Sequence, residues 1–238
     1  MVTLLRNLKG SSGVTWMCKN RPKLLAILVT ALFSGGSAWA ASSGLPLPSS
    51  FPGPLWEVVA PQGGTASVAD AHLVLNVPGG RNHDTVHPSN QAVRVVQPIG
   101  DNDFDVSIKI DSPITPTDEG TSQGLMVLAG DQDFLTFGLV TDGTNISLTA
   151  LKVSGGVAAT VFNLASFNEY HNPICLRLSR SRSAYTAYYS EDGVVWTQAA
   201  SFTDTRVPTL IGPFAGNYNS NPDRAVPVVM AINWFNVL

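Results

Sequence analysis

The densest group of polar side chains in the sequence lies in a glycine-led loop from Gly79 to Asn90. Its chemistry-bearing residues are Arg81, Asn82, His83, Asp84, His87 and Asn90. Amides, imidazoles and a carboxylate can form paired hydrogen bonds to adjacent sugar hydroxyls, and long loops are where binding groups gather. The alternative is structural: His83 and Asp84 bind backbone groups and hold the loop in shape, as Asx-turns do.

A zinc site at the same loop is not predicted. His83 and His87 are four residues apart, which on a helix would place both imidazoles on one face. Pro88 and the two glycines that begin the loop argue against a helix there. No third ligand is evident, and we expect no cofactor.

Structural calcium is the one metal whose binding the sequence leaves as an alternative. Asp101, Asp103 and Asp105 recur at spacing two, and Asp131 and Asp133 repeat the pattern. Carboxylate oxygens are the ligands that calcium prefers. However, Asp103 and Asp105 alternate with apolar residues and should point to solvent from a strand, and the glycine and terminal glutamate of a calcium hand are missing.

The acidic residues do not form the pattern that glycoside hydrolysis needs. That reaction uses two carboxyl groups flanking the scissile bond, roughly 5 to 9 Å apart. Beyond residue 40 the glutamates are isolated: Glu57, Glu119, Glu169 and Glu191. No G-x-S-x-G elbow occurs, and Cys175 alternates with apolar residues beside no nearby histidine. The sequence therefore predicts a protein without catalytic residues.

Amides and tyrosines elsewhere are secondary candidates for ligand contact. Gln123, Asn217 and Tyr218 adjoin glycine-containing turns. Tyr188 lies on the opposite face of its strand from Tyr185 and Tyr189, so one set could lie on an exposed sheet and stack on sugar rings. Packing is the commoner outcome for such tyrosines.

Tryptophans are expected to pack rather than to bind. Trp196 ends the run Ser190-Glu191-Asp192-Gly193-Val194-Val195-Trp196, which resembles a shortened Asp-box turn. We interpret it as a type I′ hairpin at Asp-Gly, with Trp196 covering the turn. Trp56 and Trp234, the other tryptophans beyond residue 40, lie in strand-like runs and should pack in the core or at sheet edges.

The elements that position these residues follow a removable leader. Lys19, Arg21 and Lys23 precede an apolar run from Leu24 to Phe33, and Ala38-Trp39-Ala40 completes the order of a secretory signal peptide. The run is too short to span a bilayer as a mature helix. We predict cleavage after Ala40 and a secreted protein, extracellular or periplasmic, with Met17 as an alternative start.

Removal of this leader changes the charge. The first 40 residues hold five of the 14 Lys and Arg residues and none of the 17 Asp and Glu residues, so the remaining 198 residues carry about −8. A net acidic surface argues against nucleic-acid binding. Cys18 leaves with the leader, so Cys175 remains unpaired and a hydrophobic core must hold the fold together.

A period of two dominates the sequence beyond the uncharged spacer 41–54. In the run 103–110, Phe104, Val106, Ile108 and Ile110 alternate with polar residues. The same alternation covers 73–77 and 174–179, and further strands are predicted at 124–129, 134–140, 145–153, 157–164 and 184–190, with glycine- or proline-containing turns between them. Twelve or more short strands predict an all-β domain over 55–238, a two-sheet antiparallel jelly-roll sandwich.

Six segments, in order, resemble a known bacterial pattern. They are Pro78-Gly79-Gly80-Arg81-Asn82-His83-Asp84, 90–98 (NQAVRVVQP), 103–106 (DFDV), 123–125 (QGL), 189–196 (YSEDGVVW) and 212–217 (GPFAGN). Together they resemble the concanavalin A-like lectin/glucanase superfamily, specifically the uncharacterised domain related to the C-terminal module of family-43 β-xylosidases. The resemblance implies a jelly roll that accompanies carbohydrate-active enzymes or sits on exported bacterial proteins. Similar domains often have an aromatic residue after the His-Asp pair, whereas this chain has Thr85-Val86-His87.

These observations predict an exported, non-catalytic carbohydrate-binding module. The predicted ligand is a glycan or polysaccharide, and no nucleic acid and no membrane span in the mature protein are expected. The predicted site residues are Asn82, His83, Asp84, His87, Asn90, Gln123, Asn217 and Tyr218. Two alternatives stay open: a structural or self-assembling surface module with protein partners, and a glycoside hydrolase of the same fold.

Overall fold

A computed structural model describes Gly53 and residues 55–86, 90–168 and 172–238, so the predicted leader and nearly all of the spacer lie outside the described residues. The strands are β1 (Glu57–Val59), β2 (Thr65–Ala69), β3 (His72–Val77), β4 (Val93–Pro98), β5 (Phe104–Ile110), β6 (Thr121–Gly130), β7 (Asp133–Thr141), β8 (Ile146–Ser154), β9 (Val157–Leu164), β10 (Ile174–Ser181), β11 (Ala184–Ser190), β12 (Thr197–Thr203), β13 (Leu210–Asn217) and β14 (Val228–Val237). Short 3₁₀ helices occupy Pro61–Gly63 and Pro222–Arg224. Among the described residues, no helix is long and apolar enough to cross a membrane.

The strands form two antiparallel sheets of seven. Sheet A has the order β12-β11-β10-β5-β14-β3-β2, and sheet B has the order β1-β4-β13-β6-β7-β8-β9. Consecutive strands are often not neighbours, since β13 lies between β4 and β6 and β14 lies between β5 and β3. The two-sheet antiparallel jelly-roll sandwich predicted from the sequence is therefore confirmed.

The main core lies between the two sheets. Every second residue of β5 and β10 points inward, as the alternation predicted, and Ile108 and Leu176 are fully buried there. Sheet B contributes Leu125 and Phe137 to the same cluster. Trp56 packs edge-to-face on Phe235 with ring centroids 5.2 Å apart, so the packing role predicted for this tryptophan is confirmed.

A second apolar cluster covers part of the outer face of sheet B. Met126, Phe134 and Phe214 are buried on that face, and Val86 and Ala92 pack against them from the segment before β4. That segment holds two further contacts, since Asn90 donates to the Met126 sulfur at 3.3 Å and the buried Arg94 guanidinium donates to backbone oxygens of Asn90 and Ala92. Sheet B is thus buried on both faces in this region.

Candidate functional site

Several predicted site residues meet at one end of the sandwich. Asn82 exchanges hydrogen bonds with the backbone of Asn219 at 2.9 and 2.8 Å. The His83 backbone donates to the Asn217 side chain at 2.8 Å, and the Tyr218 backbone donates to the Gly120 oxygen at 2.8 Å. The loop 79–86 and the end of β13 therefore lie side by side. This proximity was not predicted from the sequence.

Asn217 uses its whole amide within the protein. Its Nδ2 donates to the backbone oxygens of Pro78 at 3.1 Å and Val226 at 2.6 Å, while its Oδ1 accepts from the His83 backbone. The side chain is fully buried. These contacts tie three chain segments together, so they support a scaffold role for Asn217.

The loop itself follows the structural alternative in part. Asp84 accepts a hydrogen bond from the Val86 backbone at 3.1 Å, which is an Asx-turn. Asn90 is buried, and its Oδ1 accepts from the Ala92 backbone at 3.3 Å. His87 lies outside the described residues. The glycan-binding role of these residues stays a prediction.

Two buried polar side chains at this end have no partner among the described residues. Neither ring nitrogen of His83 and neither amide atom of Gln123 forms a hydrogen bond there. Gln123 lines a cavity of about 50 Å³ together with Thr121 and Asp118. Among the members of the predicted set that the structure describes, Tyr218 is the exposed one, with 46% of its surface accessible.

A different surface brings aromatic and charged side chains together. On the outer face of sheet A, the Arg177 guanidinium lies 5.3 Å from the Tyr188 ring and 5.8 Å from the Trp196 ring. Its Nε donates to both carboxylate oxygens of Asp105, at 2.7 and 3.0 Å, and Nη2 completes the bidentate pair. The hydrogen bond to Asp105, aided by the charge of that carboxylate, raises the pKa of Arg177, and a guanidinium is charged in proteins in any case.

Strand register extends this surface across sheet A. Five outward residues on five neighbouring strands lie opposite one another, and we name them the transverse row: Asn236, Ser107, Arg177, Tyr188 and Gln198. Adjacent strands are 4.7–4.9 Å apart, so the row measures about 19 Å from end to end. Amide, guanidinium and phenol groups are partly or fully exposed along it, whereas Ser107 in the same line is buried.

Trp234 reaches the same face through an irregularity in β14. Ile232 pairs with Ile110 and Trp234 pairs with Lys109, so the strand has one extra residue between these pairs. Trp234 is partly exposed there, and a Cβ atom at Gly193 would lie 3.6 Å from its ring. The core or edge packing expected for Trp234 and Trp196 is therefore only partial.

The Asp-box segment differs from the predicted two-residue hairpin. The connection between β11 and β12 spans residues 191–196. Within it, Asp192 Oδ1 accepts hydrogen bonds from the Val194 and Val195 backbones at 2.8 Å each. Ser190 Oγ accepts from the Gly193 backbone at 2.9 Å. The turn folds down over Cys175, which is fully buried.

The aspartates considered for calcium have separate partners. Arg180 donates to Asp101 at 2.7 Å, Asp103 accepts from the Ser181 hydroxyl and the Arg182 backbone, and Asp105 pairs with Arg177. In the part of the chain that the structure describes, no group of three His, Cys, Asp or Glu side chains is placed to hold a metal ion.

No family model matches the sequence, and no curated protein matches it. Solved structures do match the fold of this chain. The GH43 protein BlXynB from Bacillus licheniformis superposes with a TM-score of 0.61 at 18% identity, over 78% of this chain and 37% of that one. A xylan β-1,4-xylosidase from Bacillus halodurans gives 0.55 at 13% identity, over 72% and 34%. A functionally unknown protein from Saccharomyces cerevisiae gives 0.58 at 14% identity, over 77% and 94%.

The present chain has a concanavalin A-like lectin/glucanase fold. The resemblance seen in the six sequence segments is confirmed at the level of fold. The chain spans about a third of the two GH43 and xylosidase structures and nearly all of the yeast protein. Because one fold serves many functions, function has to be argued from the surfaces of this chain.

Proposed function

We propose that this protein is an exported, non-catalytic glycan-binding module whose binding surface is the outer face of sheet A. The observation that carries the proposal is the Tyr188 and Trp196 pair around Arg177, within the transverse row. Pyranose rings have apolar C–H faces that stack on aromatic rings, and their hydroxyl groups pair with amides and charged groups.

Contacts within the protein hold the arginine at the centre of this surface. Asp105 holds the Arg177 guanidinium by a bidentate pair, and the two rings flank it. A side chain that is already fixed loses little conformational entropy on binding, so its contacts contribute more to affinity. This favours recognition over a role in packing alone.

The shape of the surface favours an extended chain over a single sugar. Trp234 lies two strands from Arg177, a distance of about 10 Å at normal strand spacing. The transverse row runs perpendicular to the strands and is longer than one pyranose. An oligosaccharide laid along it would meet accessible hydrogen-bonding groups on four of its five strands, all except β5, where Ser107 is buried.

Two further considerations bear on the context and the chemistry. The basic, apolar and A-x-A order of residues 19–40 supports export. Three glutamates lie on separate elements, with Glu57 in β1, Glu119 before β6 and Glu191 before β12, which supports binding without hydrolysis. Since GH43 proteins and a xylan xylosidase share the fold, xylan is the first ligand to test.

The test is a binding titration with the exported protein. Soluble xylan, mixed-linkage β-glucan and a broad glycan array would be screened, and positive ligands measured by calorimetry. We expect Trp196→Ala and Tyr188→Ala each to weaken binding by about tenfold or more, equivalent to about 1.4 kcal/mol.

Tyr218→Ala is the matched control, because it removes a partly exposed aromatic ring at the loop end of the sandwich. It should leave affinity unchanged. Loss of binding in Tyr218→Ala with retention in Trp196→Ala would instead place the site at the loop end, among the residues predicted from the sequence. Failure of every glycan to bind would overturn the proposal.

A further inference from the structure

Gln123 places an amide where the strand pattern predicts an apolar side chain. It lies in β6 on the same face as Leu125, which belongs to the main core. Across the sheet it pairs with Leu139 and Ala215, and both of these side chains belong to that core. Gln123 is 1% exposed. The residue therefore points between the two sheets, at the end of the sandwich where β6 begins.

Both polar atoms of this amide are left without partners inside the protein. Within the described residues, Gln123 Nε2 donates to no acceptor and Oε1 accepts from no donor. Buried side-chain amides are nearly always paired, because an unpaired one destabilises the fold. Asn217, which pairs with Thr121 two residues earlier in β6, has its whole amide engaged. Asn217 thus supports the scaffold, whereas the amide of Gln123 is free for a ligand.

The cavity of about 50 Å³ beside this amide reaches the surface. A water molecule needs about 10–15 Å³ of such space, so the cavity equals about three to five waters. Its lining includes Pro113, Pro227 and Val229, which are exposed. The opening lies between the connection from β5 to β6 and the start of β14. A projecting group of a ligand can therefore reach the Gln123 amide from outside.

The lining of the cavity selects an uncharged group. Asp118 is the one charged residue among the described residues that line it, so an anion would meet a like charge there. The Asp118 carboxylate accepts a hydrogen bond from the Thr115 hydroxyl, and no second carboxylate lines the cavity to help hold a cation. Ile114 and Val228 form an apolar wall. The group that fits is neutral, with one polar edge and one apolar face.

The amide selects among neutral groups. A carboxamide presents an acceptor oxygen and donor N–H groups side by side, and two neighbouring hydroxyl groups match it because each can donate or accept. The carbon atoms that bear these hydroxyls have C–H bonds to place on the apolar wall. We infer that this cavity binds the vicinal hydroxyls of a terminal sugar of a neutral glycan. The inference rests on the proposed function for the class of ligand, whereas its site is separate from the outer face of sheet A.

The size of the cavity favours the end of a glycan chain. Two carbons with their hydroxyls take up about as much space as four water molecules, whereas a whole pyranose ring is too large. A terminal sugar presents such an edge free of further sugars, whereas an internal sugar is flanked on both sides. The cavity therefore adds recognition of chain ends to the recognition of extended chains proposed for sheet A.

Binding of free monosaccharides tests this site separately from sheet A. Xylose, arabinose and glucose would each be titrated into the isotope-labelled exported protein, and the side-chain amide signals of Gln123 followed by NMR. We expect saturable shifts of these signals with at least one of the three sugars. Long soluble xylan has few ends for its mass, so its titration reports on sheet A instead.

The decisive variant is Gln123→Leu, which removes both polar atoms at nearly constant volume. It should raise the monosaccharide dissociation constant by at least about tenfold. It should also raise the midpoint of thermal unfolding, because an apolar side chain suits the buried position. Gln132→Leu is the matched control, since it makes the same change at an exposed position in the turn between β6 and β7. It should leave both quantities unchanged.

Three outcomes would overturn the inference. The first is a Gln123→Leu variant that is less stable and binds the sugars normally, which would assign the amide to the scaffold. The second is a wild-type protein whose Gln123 signals respond to none of the sugars, with water alone in the cavity; this titration also decides the case in which the variant fails to fold. The third is loss of the monosaccharide shifts in Trp196→Ala, which would place these sugars on sheet A and support the proposed function alone.

Discussion

The outer face of sheet A carries partly exposed aromatic rings and ion pairs, whereas much of the outer face of sheet B carries a second apolar layer. On sheet A, Tyr188 and Trp196 flank a guanidinium that pairs with a carboxylate. On sheet B, Met126 and Phe214 are buried under the segment that precedes β4. Two sheets of equal strand number therefore differ: sheet B is buried on both sides in its central strands, and sheet A presents its outer face to solvent.

The largest expected difference between the two faces is in the stability lost when one aromatic ring is truncated on each. Phe214→Ala removes a buried ring from the layer on sheet B, and such changes cost about 3–5 kcal/mol. Tyr188→Ala removes a partly exposed ring from sheet A and should cost less than about 1 kcal/mol. Urea unfolding measures both. Equal losses would mean that the two faces are not different in burial.

The second prediction concerns the turn that covers Cys175 on sheet A. Burial raises the pKa of this thiol to about 11, so it stays protonated and reacts slowly with a thiol reagent. Asp192→Ala removes the acceptor of the Val194 and Val195 backbones, so the turn should open more often. We expect labelling of Cys175 in the folded protein to become several-fold faster.

A similar turn on sheet B provides the control. Asp142 Oδ1 accepts from the Thr144 and Asn145 backbones at 2.9 and 2.6 Å in the connection between β7 and β8. Asp142→Ala removes the same kind of cap without touching the Cys175 turn. If it accelerates labelling as much as Asp192→Ala does, labelling reports global unfolding and not the opening of one turn.

The difference between the faces also explains what the sequence predicts about strands. The run Phe104–Ile110 alternates because sheet A meets solvent on one side, and such a pattern is read directly from residue types. Strand β7 is nearly continuous in apolar residues because sheet B is buried on both sides there. Strand β13 was not predicted: its run Leu210–Asn217 contains two glycines and Pro213, which usually indicate turns.

The candidate site depends on information that residue types do not contain. Arg177 and Tyr188 meet through the register of β10 and β11, and Trp196 reaches them from a separate loop. By simple alternation Trp234 would share the inward face of Ile232, but the extra residue in β14 turns it outward. A bulge of this kind has no clear signal in one sequence.

The loop 79–90 shows a second limit of sequence reading. Residue types left two roles open for its polar side chains, ligand binding and support of the loop, and in the structure Asn82 and Asp84 bind backbone atoms. A chain segment that crosses the end of a sandwich has backbone groups that need partners, and nearby amides and carboxylates supply them. Polar density in a loop therefore does not separate binding from scaffolding.

The smallest expected effect is a pH dependence that arises from an ion pair on the outer face of sheet A. His72 Nε2 lies 2.9 Å from Asp111 Oδ2, and Lys109 Nζ lies 3.2 Å from Asp111 Oδ1. The hydrogen bond to Asp111, aided by the Asp70 backbone oxygen, raises the pKa of His72 above 6.5.

Because the folded state binds this proton more tightly, the stabilisation is complete below the unfolded pKa and is lost as pH rises through the folded one. The pair is partly exposed, so the loss should be no more than about 0.5 kcal/mol. Urea unfolding of wild type and His72→Gln between pH 6 and 8 measures it, and the variant should lack this component. An identical pH dependence in both proteins would show that this ion pair does not contribute to stability, and that the polar face of sheet A is organised by the Arg177 and Asp105 pair without help from His72.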